Sequence, residues 1–202
     1  MEERGEIMQI FKSFLRILYE IIKTVAFIVL VFIVVRYFLI QPFLVDGNSM
    51  EPNFHDNEYL LIQKISYRFK EPARGDVVIF HPPQKSVYYI KRVVALPGEK
   101  IVINEDKVMI YNKERPDGFE LNESYVKQYE QTNGDLSQTL KSDEYFVMGD
   151  NRENSSDSRE FGPIDHKNIA GKVFVTIFPF SDFGTIKPIQ YSNLKSIFAA
   201  SW

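Results

Sequence analysis

Hydrophobic positions are spread unevenly along this chain, and the unevenness divides it. Ile7, Ile10, Phe11, Phe14, Leu15, Leu18 and Ile22 recur at helical spacing near the start. From 24 to 44 the chain then reads TVAFIVLVFIVVRYFLIQPFL, an apolar run with no polar side. As a helix this run is about 31 Å long, close to the hydrocarbon thickness of a bilayer. Its many Val and Ile residues would favour a strand in water, but a lone segment in lipid satisfies its own backbone only as a helix. Arg36 stands toward the far end, where a long side chain snorkels; Tyr37 and Gln41 suit the interface, and Pro42 stops the helix. The pattern predicts a transmembrane anchor at 24–44, preceded by a tail at 1–23 that includes a possible interfacial helix. Cleavage after the run would need a small-x-small site, and Val45-Asp46-Gly47 is a poor one.

Beyond Pro42 the period changes from helix to strand. Short β-branched and aromatic runs at 43–46, 59–65, 76–81, 86–97, 100–104, 107–111, 145–148 and 169–178 are separated by Pro, Gly, Asn and Asp turns. The fold class expected is mainly β: one transmembrane helix followed by an antiparallel β domain at 45–111 and 141–188. Residues 112–140 are poorer in aliphatic side chains and read as a small inserted β/loop elaboration. The stretch 189–202 reads as a tail or short helix, too short to span a bilayer, with Ile197, Phe198 and Trp202 able to touch one.

Charge orients the anchor. Arg4, Lys12, Arg16 and Lys23 precede it, whereas after Arg36 the next basic residue is Lys64. The positive-inside bias places the tail in the cytoplasm and the β domain outside. A net charge of -3 argues against a nucleic-acid partner. The absence of cysteine removes disulfides, a thiolate nucleophile and cysteine-held metals. His55, His81 and His166 are widely spaced with no HExxH pattern, so no metal and no cofactor are expected.

The remaining protein nucleophiles are hydroxyls or an amine. Lys91 sits in the middle of an apolar strand, where burial would lower the pKa of its amine, although a solvent-facing position is equally open to it. Alternation sends Arg92 to the other face. Ser49 lies in Gly47-Asn48-Ser49-Met50-Glu51-Pro52, a bend that can expose its hydroxyl beside backbone N–H groups or can be a plain surface turn. The polar run 149–162 is too rich in turn residues to be a strand interior.

Three segments in this order, Ser49-Met50-Glu51-Pro52, the run from Lys91 to Gly98 and the run from Gly149 to Arg159, resemble the signature blocks of bacterial type I signal peptidases. Arg74-Gly75-Asp76-Val77-Val78 is similar to a further block. The resemblance implies a serine–lysine endopeptidase that cleaves signal peptides from exported preproteins after small-x-small sites, through a serine acyl-enzyme. It implies Ser49 as nucleophile and, through its N–H, an oxyanion donor, with Lys91 as general base and Ser155 orienting the lysine amine. Met50 would line the substrate region. Gly47 and Pro52 would shape the turn, Asp157 and Arg159 would brace the polar loop, and Asp150 would pair with Arg92. Many Gram-negative members carry a serine two residues before the nucleophile; Gly47 stands there in this chain, as in the Gram-positive pattern. Implied partners are signal-peptide-bearing preproteins, the lipid bilayer and, as a candidate, the protein-export translocon, at a bacterial cytoplasmic membrane. The alternative reading is a membrane-anchored, non-catalytic β binding or structural module.

Overall fold

A computed structural model of the chain describes residues 2–34, 36, 40–83, 85–127, 131–187, 189 and 191. Two compact units divide between Ile40 and Gln41. The first is helix α1, Glu2–Val34. Its Phe11–Val34 stretch is long and apolar enough to cross a membrane, and its side chains are exposed. Such uncovered Phe, Ile and Val side chains suit a helix whose solvent is lipid.

The helix begins and ends earlier than the expected 24–44 span, because Ile40–Leu44 forms strand β1. Phe43 explains the change of structure. Its ring meets Tyr88 edge-on at 5.0 Å and packs against a buried core of the second unit. Pro42, which cannot donate to a ladder, is tolerated because β1 is an edge strand. Tyr37 lies outside the described residues.

The second unit is antiparallel β throughout its described pairings. After β1 come β2 (Tyr59–Gln63), a helical turn α2 (Ser66–Phe69), β3 (Val77–Phe80) and β4 (Tyr89–Ala95). Four strands then form a small sheet: β5 (Lys100–Asn104), β6 (Lys107–Tyr111), β7 (Phe119–Glu120) and β8 (Leu136–Thr139), in spatial order β7-β6-β5-β8. The chain returns through β9 (Glu144–Met148), the turn α3 (Ser158–Phe161), β10 (Ile164–Asp165), β11 (Ile169–Phe178) and β12 (Gly184–Thr185). The main sheet runs β1-β2-β11-β3-β4-β9-β10, with β12 on β11.

Alternation along the central strands feeds separate cores. Val77 and Ile79 of β3 enter one with Met50, Phe54, Leu60 and Ile62, while Val78 and Phe80 enter another with Val93, Tyr145 and Val147. A third core joins Ile101, Ile103, Val108 and Ile110 of the small sheet to Phe146 and Met148 of β9. Residues 100–111, expected with the main body, therefore pair with the insertion instead. Their apolar face is covered by Phe119, Leu121, Tyr125 and Leu140. Of the stretch expected as a tail, Ile189 and Tyr191 pack on this third core, and Ile197, Phe198 and Trp202 lie outside the described residues.

Candidate active site

The site is assembled from a turn, a strand and a loop. Ser49 stands in the segment between β1 and β2, which is closed at its base by Val45 N–H to Glu58 O at 2.8 Å and Asn57 N–H to Val45 O at 3.0 Å. Gly47 takes φ +90°, a conformation that side chains resist, and its N–H donates to Asp56 Oδ1 at 2.7 Å. Met50 and Phe54 are buried beneath the turn, and Glu51-Pro52 is a cis peptide.

Lys91 sits at the middle of β4 and is 3% exposed, which removes the solvent-facing alternative. Its Nζ donates to Ser49 Oγ at 2.6 Å and to Ile90 O at 2.8 Å, and lies 5.5 Å from the Tyr89 ring centroid. Burial lowers the amine from the usual lysine range to about 8; the negative charges of Asp157 and Asp150 oppose that shift. An amine in this state is a competent proton acceptor for the hydroxyl it touches.

Arg92 faces the other side of the strand. It makes a two-pronged contact with Asp150, the Nε donating to Oδ1 at 2.8 Å, and its Nη1 donates to Gly75 O at 3.0 Å. Asn53 bridges the same carboxylate at 2.9 Å to the Tyr125 carbonyl at 2.8 Å. Two donors from Arg92 and one from Asn53 thus meet the Asp150 carboxylate, the kind of compensation that makes burying two charges tolerable. The Arg92 guanidinium also lies 4.5 Å from the Tyr125 ring centroid.

The loop after β9 is tied down on every side. Asp157 caps α3, accepts from Gly149 N–H at 3.0 Å and pairs with Arg159 at 2.9 Å. Burial works to raise the Asp157 carboxyl, but Arg159 and the Gly149 N–H outweigh it and hold it below the usual carboxylate range. Asn151 joins loop to nucleophile: its N–H donates to Ser49 O and its Nδ2 to Asn48 O, both at 3.1 Å. Ser155 lies against Gly149, so close that a Cβ there would fall 2.2 Å from its Oγ. That hydroxyl is buried, makes no hydrogen bond to Lys91, and helps to hold the Asp157 carboxyl low.

The structure thus brings Gly47, Ser49, Met50, Pro52, Lys91 and Ser155 into one region, and Arg92 with Asp150 and Asp157 with Arg159 into adjoining ion pairs. Sequence reasoning missed Arg152 and Glu123. Arg152 is fully buried, donates to Gly149 O at 3.0 Å and through Nη1 to Glu123 at 2.8 Å, tying the insertion to the loop. The signal available was an arginine in a tight polar turn between apolar strands, a setting in which a buried cation needs a carboxylate from elsewhere.

A cavity of about 400 Å³ opens beside the dyad, lined by Val45, Ser49, Ile79, Tyr88, Ile90 and Lys91 among others. It is mostly apolar with the hydroxyl and amine at one place, a form suited to a short apolar side chain next to a bond under attack.

A family profile described as "Signal peptidase, peptidase S26" matches residues 18–178. A signal peptidase I from Bacillus licheniformis is 35% identical over 175 residues, covering 82% of this chain and 91% of the relative. A signal peptidase I from Leptolyngbya laminosa is 33% identical over 182 residues, 85% of each chain. A crystal structure of a signal peptidase I from Enterococcus faecalis aligns at 30% identity with TM-score 0.43, over 51% of this chain and 97% of that one.

Proposed function

The chain belongs to the signal peptidase I family, peptidase S26, and on that premise we propose that Ser49 and Lys91 are the dyad through which it works. The protein is a membrane-bound serine endopeptidase of the serine–lysine type that cleaves signal peptides. The observation that carries the assignment is the 2.6 Å contact between Ser49 Oγ and a buried Lys91 amine.

In the proposed reaction, neutral Lys91 takes the Ser49 proton as Oγ attacks the scissile carbonyl. The Ser49 N–H faces the oxyanion that develops. Lys91, now an ammonium, returns the proton to the leaving amine, and the peptide carbonyl stays on Ser49 as an ester. Lys91 then takes a proton from water, whose oxygen attacks the ester carbonyl; the acyl C–Oγ bond breaks, Lys91 returns the proton to Ser49 Oγ, and the new C-terminal carboxyl product leaves. Ser155, whose buried hydroxyl lies beside Gly149 at the edge of the site, is the group assigned to orient the amine. The apolar cavity beside the dyad supports a preference for small residues before the cut; Met50, expected to line the substrate region, is buried in the core beneath the turn and is not among the residues lining that cavity.

The basic residues ahead of the apolar run support a cytoplasmic N-terminus with the β unit outside, at a bacterial cytoplasmic membrane. The short chain length between the apolar run and Ser49 supports cleavage close to the outer membrane surface. A preprotein emerging from the export translocon is the substrate such a placement suits.

The test is cleavage of a peptide with an Ala-x-Ala site by the detergent-solubilised full chain. Ser49→Ala and Lys91→Met are expected to keep substrate binding and lose turnover by about 10²–10⁴-fold or more. Near-wild-type cleavage by either variant overturns the dyad.

A further inference from the structure

Glu58 is a buried carboxylate without an arginine or lysine. It is 3% exposed, and among the described residues its one ion-pair partner is His55, whose Nδ1 lies 2.8 Å from Oε1. The imidazole is itself exposed. A carboxylate taken from water in this way costs several kcal/mol unless a cation compensates it. Arg92 lines the same cavity but is committed to Asp150, and Lys187 lines it without coming within 4.0 Å of Glu58.

Asp182 supplies the missing part. It lies in the turn after β11, far from His55 and Glu58 in sequence, yet the three side chains present ligand atoms within 4.8 Å of one another. They stand at the wall of a cavity of about 400 Å³, which leaves room for water to complete a coordination shell. One imidazole nitrogen and two carboxylates are a donor set for a divalent transition ion rather than for calcium or magnesium, which prefer oxygen alone. Zinc holds such ligands at about 2.0–2.2 Å, so donors around one ion lie roughly 3.5 Å apart. His55 and Asp182 are exposed and can close that difference by rotation, whereas Glu58 is the fixed point.

We propose that His55, Glu58 and Asp182 form a binding site for a divalent transition-metal ion, with Zn²⁺ as its probe. The ion is not part of the serine–lysine chemistry. His55 and Glu58 belong to the segment that carries Ser49, and Glu58 O closes that segment on Val45. Asp182 follows β11, so the ion clips the nucleophile-bearing segment to the β11–β12 corner. Metal outside the cell would then set the rigidity of that segment.

The experiment uses the full chain in detergent, stripped with a chelator and with any affinity tag removed. Zn²⁺ is titrated against a chromogenic chelator, with Ca²⁺ in parallel. The wild type is expected to take up one Zn²⁺ and to prefer it to Ca²⁺. Its melting temperature should rise by roughly 5–10 °C at a free Zn²⁺ concentration about 100-fold above Kd. His55→Gln and Asp182→Asn, both at exposed positions, should each bind at least tenfold more weakly and lose most of the rise. Absence of stoichiometric binding overturns the proposal, as does an affinity in either variant within tenfold of the wild type.

Discussion

The lowered basicity of Lys91 makes a quantitative demand on the pH dependence of cleavage. Burial places the amine at about 8 rather than near 10.5. At pH 7 roughly one enzyme in ten then carries a neutral amine, against about one in three thousand for an ordinary lysine. The gain is about 300-fold in the form able to accept the Ser49 proton. Because the free enzyme's base governs kcat/KM, that parameter should rise nearly tenfold per pH unit below 8. Between pH 6 and pH 9 the total rise should be roughly 90-fold, and from pH 9 to pH 10 the curve should be flat. A peptide substrate without ionisable groups in this range, assayed with the full chain in detergent, gives the profile directly. An unperturbed lysine would give a further rise of about eightfold between pH 9 and pH 10. That result, or a profile independent of pH, would refute the link between burial of Lys91 and its role as base.

Holding the amine near neutrality has a cost to folding that other experiments should expose. Lys91 is held lower in the folded state than in the unfolded one, so below pH 8 the folded protein forgoes about 3 kcal/mol, a penalty that shrinks as pH rises from 8 to 10.5. Lys91→Met should therefore abolish cleavage yet raise the melting temperature by up to roughly 6–12 °C at pH 7, with the advantage fading between pH 8 and pH 10.5; a variant less stable than wild type at pH 7 would contradict this. Gly149→Ala places a Cβ 2.2 Å from Ser155 Oγ and 2.5 Å from Ser49 O, a backbone atom that cannot swing aside. It should lower turnover at least about tenfold and stability by about 1–3 kcal/mol, and wild-type cleavage and melting would show that Ser155 and Ser49 are not packed through Gly149.

Much of this arrangement was legible in the chain because strand alternation is local. Lys91 and Arg92 fall on opposite faces of β4, and the structure gives each a different polar partner, Ser49 and Asp150. The apolar runs that form β3 (Val77–Phe80) and most of β9 (Glu144–Met148) were equally plain. What escaped depends on tertiary contact. Ile40–Leu44 is as apolar as the helix before it, and its conversion to a strand rests on Phe43 meeting Tyr88, a residue remote in sequence. The Lys100–Asn104 and Lys107–Tyr111 hairpin looks like any other, and its allegiance to the insertion is decided by the side chains of Phe119 and Leu121. Arg152 pairs with Glu123, and Asp182 comes near His55, across long separations that no periodicity reports.

The bonds from Asn151 to Ser49 O and Asn48 O bear on synthesis. A ribosome delivers the serine first, the lysine some forty residues later (about 2–10 s at ordinary elongation rates) and the asparagine that ties down the serine's backbone about sixty residues after that. A half-made chain holds both groups without those two bonds. The order of the chain thus delays the full set of bonds around Ser49 until the loop after β9 has been made.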